Sequence, residues 1–430
     1  MYARHPDVVI RREYFGGVAF HKSTGTTVEL DREACLLLEK TDGMTNVRAL
    51  ASNISARLSV DVSIYEIYNV VSTLRSHGFL VRNGFSPSVD ATQWPEKTNY
   101  LSAPETVHLA VTHRCNYWCP SCYLDGIVEH EMTTAEIKSL IDEMAEIKVF
   151  QLAIGGGEPF LRDDLIEISS YAALCGIVPN ITTNGSLLTS EVASELSGHI
   201  GQIQISVNGH NNGLHETTRD KGSSDAALRA MEILRKHNIR FGMNVLLRKD
   251  NINEIENIVA FGAKHGASTV NLIRPKPSKR DRNWYSRSAL SRSDYRIVRE
   301  AIRKAQSKYT IRITVDCALS FLMNTESPGE LRRHGVYGCT GARRFLSIYP
   351  DGSAYPCSFL DMPEYCAGNV KHGLKHVWSA FQRFWQATQH LNGKCGTCKV
   401  KDYCTGCRAI AFHTTGDILG DDPACFNRDK

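Results

Sequence analysis

One stretch constrains this chain more than any other: Thr112-His113-Arg114-Cys115-Asn116-Tyr117-Trp118-Cys119-Pro120-Ser121-Cys122-Tyr123. It directly follows the apolar run Val107-His108-Leu109-Ala110-Val111, which reads as a short strand. Three thiols therefore sit on a loop leaving a strand at its carboxyl end. Thiolates are soft, charged ligands, and such a loop can wrap one corner of an iron–sulfur cube. A cube ordinarily takes four thiolates, so the three supplied locally leave one iron open to a different ligand. The blander assignment for a C-x-x-C pair is a structural zinc site or buried free thiols. A second stretch, Ile154-Gly155-Gly156-Gly157-Glu158-Pro159-Phe160, lies about one strand–helix unit further on. Glycines ending an apolar run let a ligand approach the backbone, and a glutamate there can accept hydrogen bonds from an amine.

The 430 residues suggest about two to four domains. With 50 basic against 46 acidic residues, bulk charge argues neither for nor against nucleic acid. No apolar run approaches the roughly 20 residues that span a bilayer, so no membrane association is expected. Met1-Tyr2-Ala3-Arg4-His5-Pro6-Asp7 lacks the apolar core of a signal peptide, which makes the cytoplasm the expected location. Fourteen cysteines in a reducing compartment read as metal ligands first and core residues second.

Residues 1–82 read as a small separate module. A hairpin over Val8–Phe15 and Val18–His21 and a third strand at Thr26–Leu30 precede three helical stretches, Arg32–Lys40, Val47–Leu58 and Ser63–His77. Gly78-Phe79-Leu80-Val81 closes the module after a glycine stop. Such an order suits a winged helix that binds DNA, but the last helix carries a single arginine beside a glutamate, too little for phosphate and base contacts. Residues 83–104, with Gly84, Pro87, Pro95 and Pro104, read as a linker.

From 105 to about 315 strands and helices alternate. The strand candidates are Val107–Val111, Phe150–Ile154, Val178–Thr182, Gln202–Val207, Arg240–Leu247, Thr269–Ile273 and Ile311–Val315. Thr133-Thr134-Ala135-Glu136 is a capping box before an amphipathic helix with Ile137, Leu140, Ile141 and Met144 on one face. The alternation predicts an α/β fold with a parallel sheet, where chemistry gathers at the carboxyl ends of the strands. The cysteine triplet, Gly156-Gly157-Glu158, Thr183-Asn184 and Ser206-Val207-Asn208 all fall there. The run Arg274–Lys304 holds 11 basic against three acidic residues. It reads as a solvated face, or alternatively as a docking patch for an acidic peptide or electron donor.

Cysteines crowd the stretch 330–430. Cys339, Gly352 and Cys357 follow C-x12-G-x4-C, with Tyr349-Pro350-Asp351-Gly352 as a turn between two short strands. Cys395, Cys398, Cys404, Cys407 and Cys425 come next. Seven cysteines exceed one tetrahedral zinc and imply two metal centres, with a zinc ribbon at 395–425 as the simpler alternative.

The triplet and the glycine-glutamate strand end together resemble the radical S-adenosylmethionine (SAM) enzymes, whose cluster motif is C-x-x-x-C-x-aromatic-C. The resemblance implies a partial (β/α)6 TIM-like barrel over 105–315. Cys115, Cys119 and Cys122 would hold a 4Fe–4S cluster whose open iron takes SAM, and Gly156, Gly157 and Glu158 would hold the methionine amino group. It also implies SAM contacts from Ser206, at the ribose, and from Arg219, in Thr217-Thr218-Arg219-Asp220-Lys221-Gly222. Ser121 stands where the family usually has an aromatic residue, while Tyr123 still places a ring beside the loop. The tail resembles the SPASM extension with two auxiliary iron–sulfur clusters. One would use Cys395, Cys398, Cys404 and Cys425; the other would use Cys339, Cys357 and Cys407, with Cys366, Cys317 or an open iron completing it. Cys404 and Cys407 are separated by x2 where that family has x3. Its sulfatase-maturing members carry a catalytic aspartate just after the cysteine equivalent to Cys357. Here Asp361 comes four residues later, which disfavours that reaction.

The first 82 residues resemble the PqqD-like, winged-helix-like domain that recognises the leader of a ribosomally made peptide by strand addition. The whole resemblance implies a peptide maturase. A 5'-deoxyadenosyl radical would take a hydrogen atom from a bound precursor peptide, with crosslinking, epimerisation or a related oxidation as the outcome. A flavodoxin or ferredoxin-type protein would supply the electron. Two other readings are the same chemistry on a small molecule such as a haem-pathway porphyrin, and an iron–sulfur electron carrier or redox sensor. No catalytic acid or base is assigned from the sequence.

Overall fold

Alternating apolar residues in the first segments give strands β1 (Tyr2–Arg4), β2 (Val8–Glu13), β3 (Gly16–His21), β4 (Thr26–Asp31) and β5 (Leu80–Arg82). The computed structural model describes residues 2–82, 84–87, 93–96, 98, 100–124, 126, 128–281, 283–323, 338–401 and 404–425. Part of the expected linker (83, 88–92, 97 and 99) and the expected boundary at 330 lie outside them. The chain divides into two units, Met1–Ser102 and Ala103–Lys430.

In the first unit β2, β3 and β4 form an antiparallel sheet with β3 central, and β1 pairs with β5. The helices run Arg32–Lys40, Val47–Leu58 and Ile64–Ser76, each opened by a side-chain cap from Asp31, Asn46 or Ser63. Leu37, Leu38, Ile54, Ile67, Val71, Leu74 and Phe79 pack with Val8, Ala19 and Leu30 into one core. Residues beyond β5 pack on this unit. The Ser102 amide donates to the buried Glu13 carboxylate at 2.8 Å, and the Arg12 guanidinium lies 4.3 Å from the Trp94 ring centroid. The pairing of β1 with β5 was not foreseen, because two three-residue strands at opposite ends of a module carry no periodic signal.

The second unit is built on one sheet. Its parallel strands are β6 (Thr106–Thr112), β7 (Gln151–Gly156), β8 (Val178–Thr183), β9 (Gln202–Ser206), β10 (Phe241–Leu246), β11 (Thr269–Ile273) and β12 (Arg312–Val315), all seven within a residue or two of expectation. They stand in sequence order, so each strand–helix–strand step moves one place along the sheet. The helix Thr134–Glu146 begins with the capping box of Thr133 and Glu136 and buries Ile137, Leu140, Ile141 and Met144. Past the barrel strands, β13 (Phe345–Ile348) adds parallel to β6, and β14 (Ala354–Tyr355) pairs back on β13 through the turn at Tyr349–Gly352. The cysteine-rich tail thus starts as an extension of the barrel sheet. Its edge position puts Cys357 just past β14, two places along the sheet from β6, the strand that feeds the cysteine triplet.

Candidate metal and cofactor site

The carboxyl ends of β6 and β7 are stitched together. The Gly157 amide donates to the Thr112 carbonyl at 2.8 Å, and the Glu158 amide donates to the Arg114 carbonyl at 2.9 Å. This approach requires glycine. Gly156 has φ +120°, and a Cβ at Gly157 would stand 2.0 Å from the Arg114 carbonyl oxygen. Gly155, by contrast, faces open space, with nothing within 4 Å of a Cβ built there.

Neighbouring strand ends clamp the cysteine loop. Asn116 donates to Ser186 Oγ at 2.8 Å and accepts from Asn184 Nδ2 at 3.0 Å, past β8. The Trp118 amide donates to Asp220 at 3.0 Å. Ser278 Oγ donates to the carbonyls of Pro120 and Cys122 at 2.7 and 2.8 Å, and the Arg280 guanidinium stacks 4.4 Å from the Trp118 ring centroid. Burial pushes the thiols of Cys115, Cys119 and Cys122 up, each also raised by the charge of another of the three, while Arg280 draws all of them down. Thiols so placed ionise fully only beside a cation. Tyr123 packs on Phe359 at 4.9 Å between ring centroids.

Glu158 is fully buried. Its Oε1 accepts from Thr183 Oγ1 at 2.7 Å and the Phe160 amide at 3.2 Å, and its Oε2 accepts from the Asn184 amide at 2.8 Å. Burial pushes its carboxyl up against these bonds. A carboxylate offers about four acceptor sites, so one remains for an amine. Ser206 ends β9, half-buried. Arg219 lies close enough to lower the thiols of Cys119 and Cys122 and the Glu158 carboxyl. Its Nε is buried with no hydrogen-bond partner. The loop carrying it is held by the strand-end Asn208 together with Arg248 and Asn251, which the sequence did not single out. Asn208 Nδ2 and Arg248 both donate to Thr218 Oγ1, at 3.1 and 3.2 Å, and Asn251 donates to the Asn208 carbonyl at 3.1 Å. Burial, then Arg219 and Arg248, hold neighbouring His215 down to about 3, so it is neutral.

In the tail, Cys317, Cys339, Cys357 and Cys407 come together. Cys317 and Cys339 share a hydrogen bond that pushes the first thiol up and the second down, and Cys407 bears on both Cys339 and Cys357. Burial pushes Cys357 to about 12 and Cys407 to about 11, with Lys276 opposing both. Cys366, the other candidate, has its thiol 3.7 Å from the Gly368 carbonyl. Cys395, in the short helix Gly393–Thr397, is anchored by its amide to Asp421 at 2.8 Å, and Ser320 Oγ donates to Cys404 Sγ at 3.6 Å. Cys398 lies between these two in sequence, and Cys425 lies beyond them. Among the described residues no three cysteine sulfurs lie within 4.8 Å of one another.

The basic run divides. Arg274 is buried and makes a two-bond pair with Asp422, both at 2.7 Å, while Asp422 also accepts from the Cys407 amide at 2.9 Å. Lys276 pairs with Asp316 at 2.5 Å. Lys279 pairs with Asp361, which also accepts from Tyr349. Further along, Arg287 is exposed, and the helix Arg292–Lys308 presents a solvated basic face at Arg296 and Arg303 among others.

A barrel of this topology, with a cysteine triplet and a glycine-glutamate strand end at one rim and a cysteine-rich extension on its sheet edge, defines a radical SAM protein. The radical SAM superfamily model matches residues 109–262, and the iron-sulfur cluster-binding domain known as SPASM matches 339–399. The chain carries both domains, and with them the 4Fe–4S cluster and SAM of the first and the auxiliary iron–sulfur clusters of the second. It is 29% identical to the AdoMet-dependent heme synthase of Methanosarcina barkeri, over 76% of this chain and 97% of that protein. It is equally 29% identical to the mycofactocin maturase of Mycolicibacterium smegmatis, over 76% of this chain and 83% of that one. Among solved structures, Streptococcus suis SuiB bound to precursor peptide SuiA shares the fold at TM-score 0.73 and 17% identity, covering 99% of this chain and 100% of that one. No helix among the described residues is long and apolar enough to cross a membrane.

Proposed function

We propose that this chain modifies a ribosomally made precursor peptide by radical chemistry, with Cys115, Cys119 and Cys122 holding the reducible cluster. The cofactors fit the residues present. The three half-buried thiols want a cation, Gly155 faces open space, and the orphaned Arg219 Nε offers a donor to an anionic group such as an amino-acid carboxylate. Gly156, Gly157 and Glu158 receive the amino group, and Ser206 the ribose. Bound and reduced, the pair supplies a 5'-deoxyadenosyl radical that takes a hydrogen atom from the substrate. The chain's own part is positioning. Asn116, Ser278 and Arg280 fix the loop, while Glu158 locks the ends of β7 and β8. Cys339, Cys357, Cys407 and Cys317 hold one auxiliary cluster, and Cys395, Cys398, Cys404 and Cys425 the other. A flavodoxin or ferredoxin-type donor reduces the protein in the cytoplasm.

The observation that carries the peptide reading is the first unit. It has its own core, and β4 is an edge strand open to the addition of an extended peptide. The likeness to SuiB, a structure solved with its precursor peptide, runs through this unit, whereas the match to the heme synthase spans nearly all of that protein and leaves about a quarter of this chain unmatched. In this reading residues 1–82 are a PqqD-like recognition domain, 105–315 the radical SAM core and 330–430 the auxiliary-cluster domain. Co-expression with a candidate precursor from a neighbouring short reading frame tests it by mass spectrometry. A peptide lighter by a pair of hydrogens, or epimerised at unchanged mass, is expected. An unaltered peptide alongside turnover of a porphyrin would contradict it.

A further inference from the structure

The first unit carries a side-chain cluster that the proposed reaction leaves unused. His5, Asp7 and His21 each present a ligand-type atom, and the three atoms lie within 4.8 Å of one another. Backbone bonds fix where they stand. The turn His5-Pro6-Asp7-Val8 between β1 and β2 closes with the Val8 amide donating to the His5 carbonyl at 3.0 Å, and proline's fixed φ suits its second position. The His5 amide donates to the Phe79 carbonyl, and the Lys22 amide to the Asp7 carbonyl, both at 2.9 Å. His21 stands opposite Val8 in the β2–β3 ladder. Little remains to be ordered when a ligand arrives.

A second observation points to a ligand. His21 is 4% exposed, and its Nδ1 has no hydrogen-bond partner, an unusual state for a buried ring nitrogen. The His5 and His21 rings stand 4.4 Å apart between centroids, so two imidazoles, common metal ligands when neutral, meet at one place. The Ser23 hydroxyl donates to the Asp7 carboxylate, the kind of outer hydrogen bond that orients a metal-binding carboxylate. The one local obstacle is the Asp7 amide, which donates to His5 Nδ1 at 3.1 Å; a cation on His5 displaces this bond.

We propose that His5, Asp7 and His21 bind a divalent late first-row cation, zinc in the first instance. Imidazole and carboxylate ligands suit zinc, and three of them leave its remaining tetrahedral position to water. Calcium and magnesium prefer oxygen ligands throughout and fit poorly. The ion would fasten the turn after β1 to the end of β3.

The test uses the full chain with its iron–sulfur clusters in place. Zinc is added anaerobically, the protein is passed through a desalting column, and its zinc and iron are counted. X-ray absorption then reads the zinc surroundings. The expected result is about one zinc per chain at unchanged iron, in a nitrogen and oxygen shell at about 2.0–2.1 Å. His5→Gln and Asp7→Asn, both at partly exposed positions, should each weaken retention at least tenfold and leave iron unchanged. Absence of retained zinc, a sulfur shell at about 2.3 Å, or equal retention by both variants would overturn the proposal.

Discussion

The amide of Glu158 donates to the carbonyl of Arg114 at 2.9 Å, and so the glycine-rich strand end is bonded to the residue immediately before the first cysteine of the loop. The two motifs form one rigid object. Whatever the thiols of the loop hold is thereby set against Gly155 and Glu158.

Gly157→Ala should break this object. Its Cβ would stand 2.0 Å from the Arg114 carbonyl oxygen and 2.7 Å from the carbonyl carbon, so one backbone must retreat. The loop then loses its position, and SAM cleavage should fall by about 100-fold or more, as for a misplacement of about 1 Å. Gly155→Ala meets nothing within 4 Å and should keep the cluster. Iron content and 5'-deoxyadenosine release by the two variants check this.

Cys317 and Cys366 should behave differently. Cys317 shares a hydrogen bond with Cys339, whereas Cys366 points to the Gly368 carbonyl. Cys317→Ala should alter the low-temperature EPR spectrum of an auxiliary cluster and lower the iron count. Cys366→Ala should leave both as in wild type.

The pair of Arg274 and Asp422 is fully buried on both sides and reaches the Cys407 amide. Asp422→Asn leaves a buried guanidinium without its counter-charge, a loss of about 3–5 kcal/mol, while Arg274→Met with Asp422→Leu should be much milder. Burial alone would push the Asp422 carboxyl up, but Arg274 and the amides of Cys407 and Ala424 hold it below the usual carboxylate range. Its folded value thus lies below its unfolded one. The stability it contributes is present above the ordinary value near about 4 and is lost as pH falls through the depressed one. Denaturant titrations from neutral pH downward should show this slope in wild type and its loss in Asp422→Asn.

Much of this was legible because it is local. The strands of the barrel and the capping box at Thr133 are short-range patterns, and the structure places each where the sequence puts it; the cysteine spacings are local in the same way. The partners were not legible. Arg274 and Asp422 stand 148 residues apart, so the basic run looked like a solvated face although its first members turn inward. The convergence of Cys317 with Cys339 depends on β13 joining β6, which no single segment encodes. Arg248 and Asn251 escaped notice for the same reason: a lone polar residue gains meaning only from the buried network it enters.

Removal of residues 1–102 separates the two enzyme readings. The truncated chain keeps the whole barrel sheet and should still release 5'-deoxyadenosine, while its turnover of a leader-bearing peptide falls at least tenfold. Undiminished peptide turnover would show that the first unit does not deliver the substrate.

The central claim is that the loop of Cys115, Cys119 and Cys122 leaves one iron for SAM. The direct measurement adds SAM to the reduced, cluster-loaded protein, follows the EPR signal of that centre and quantifies 5'-deoxyadenosine. The account predicts a shifted signal and 5'-deoxyadenosine from wild type, with neither in a Cys115→Ala, Cys119→Ala, Cys122→Ala variant that retains its auxiliary iron. An unchanged signal with intact SAM in the wild-type protein would contradict it.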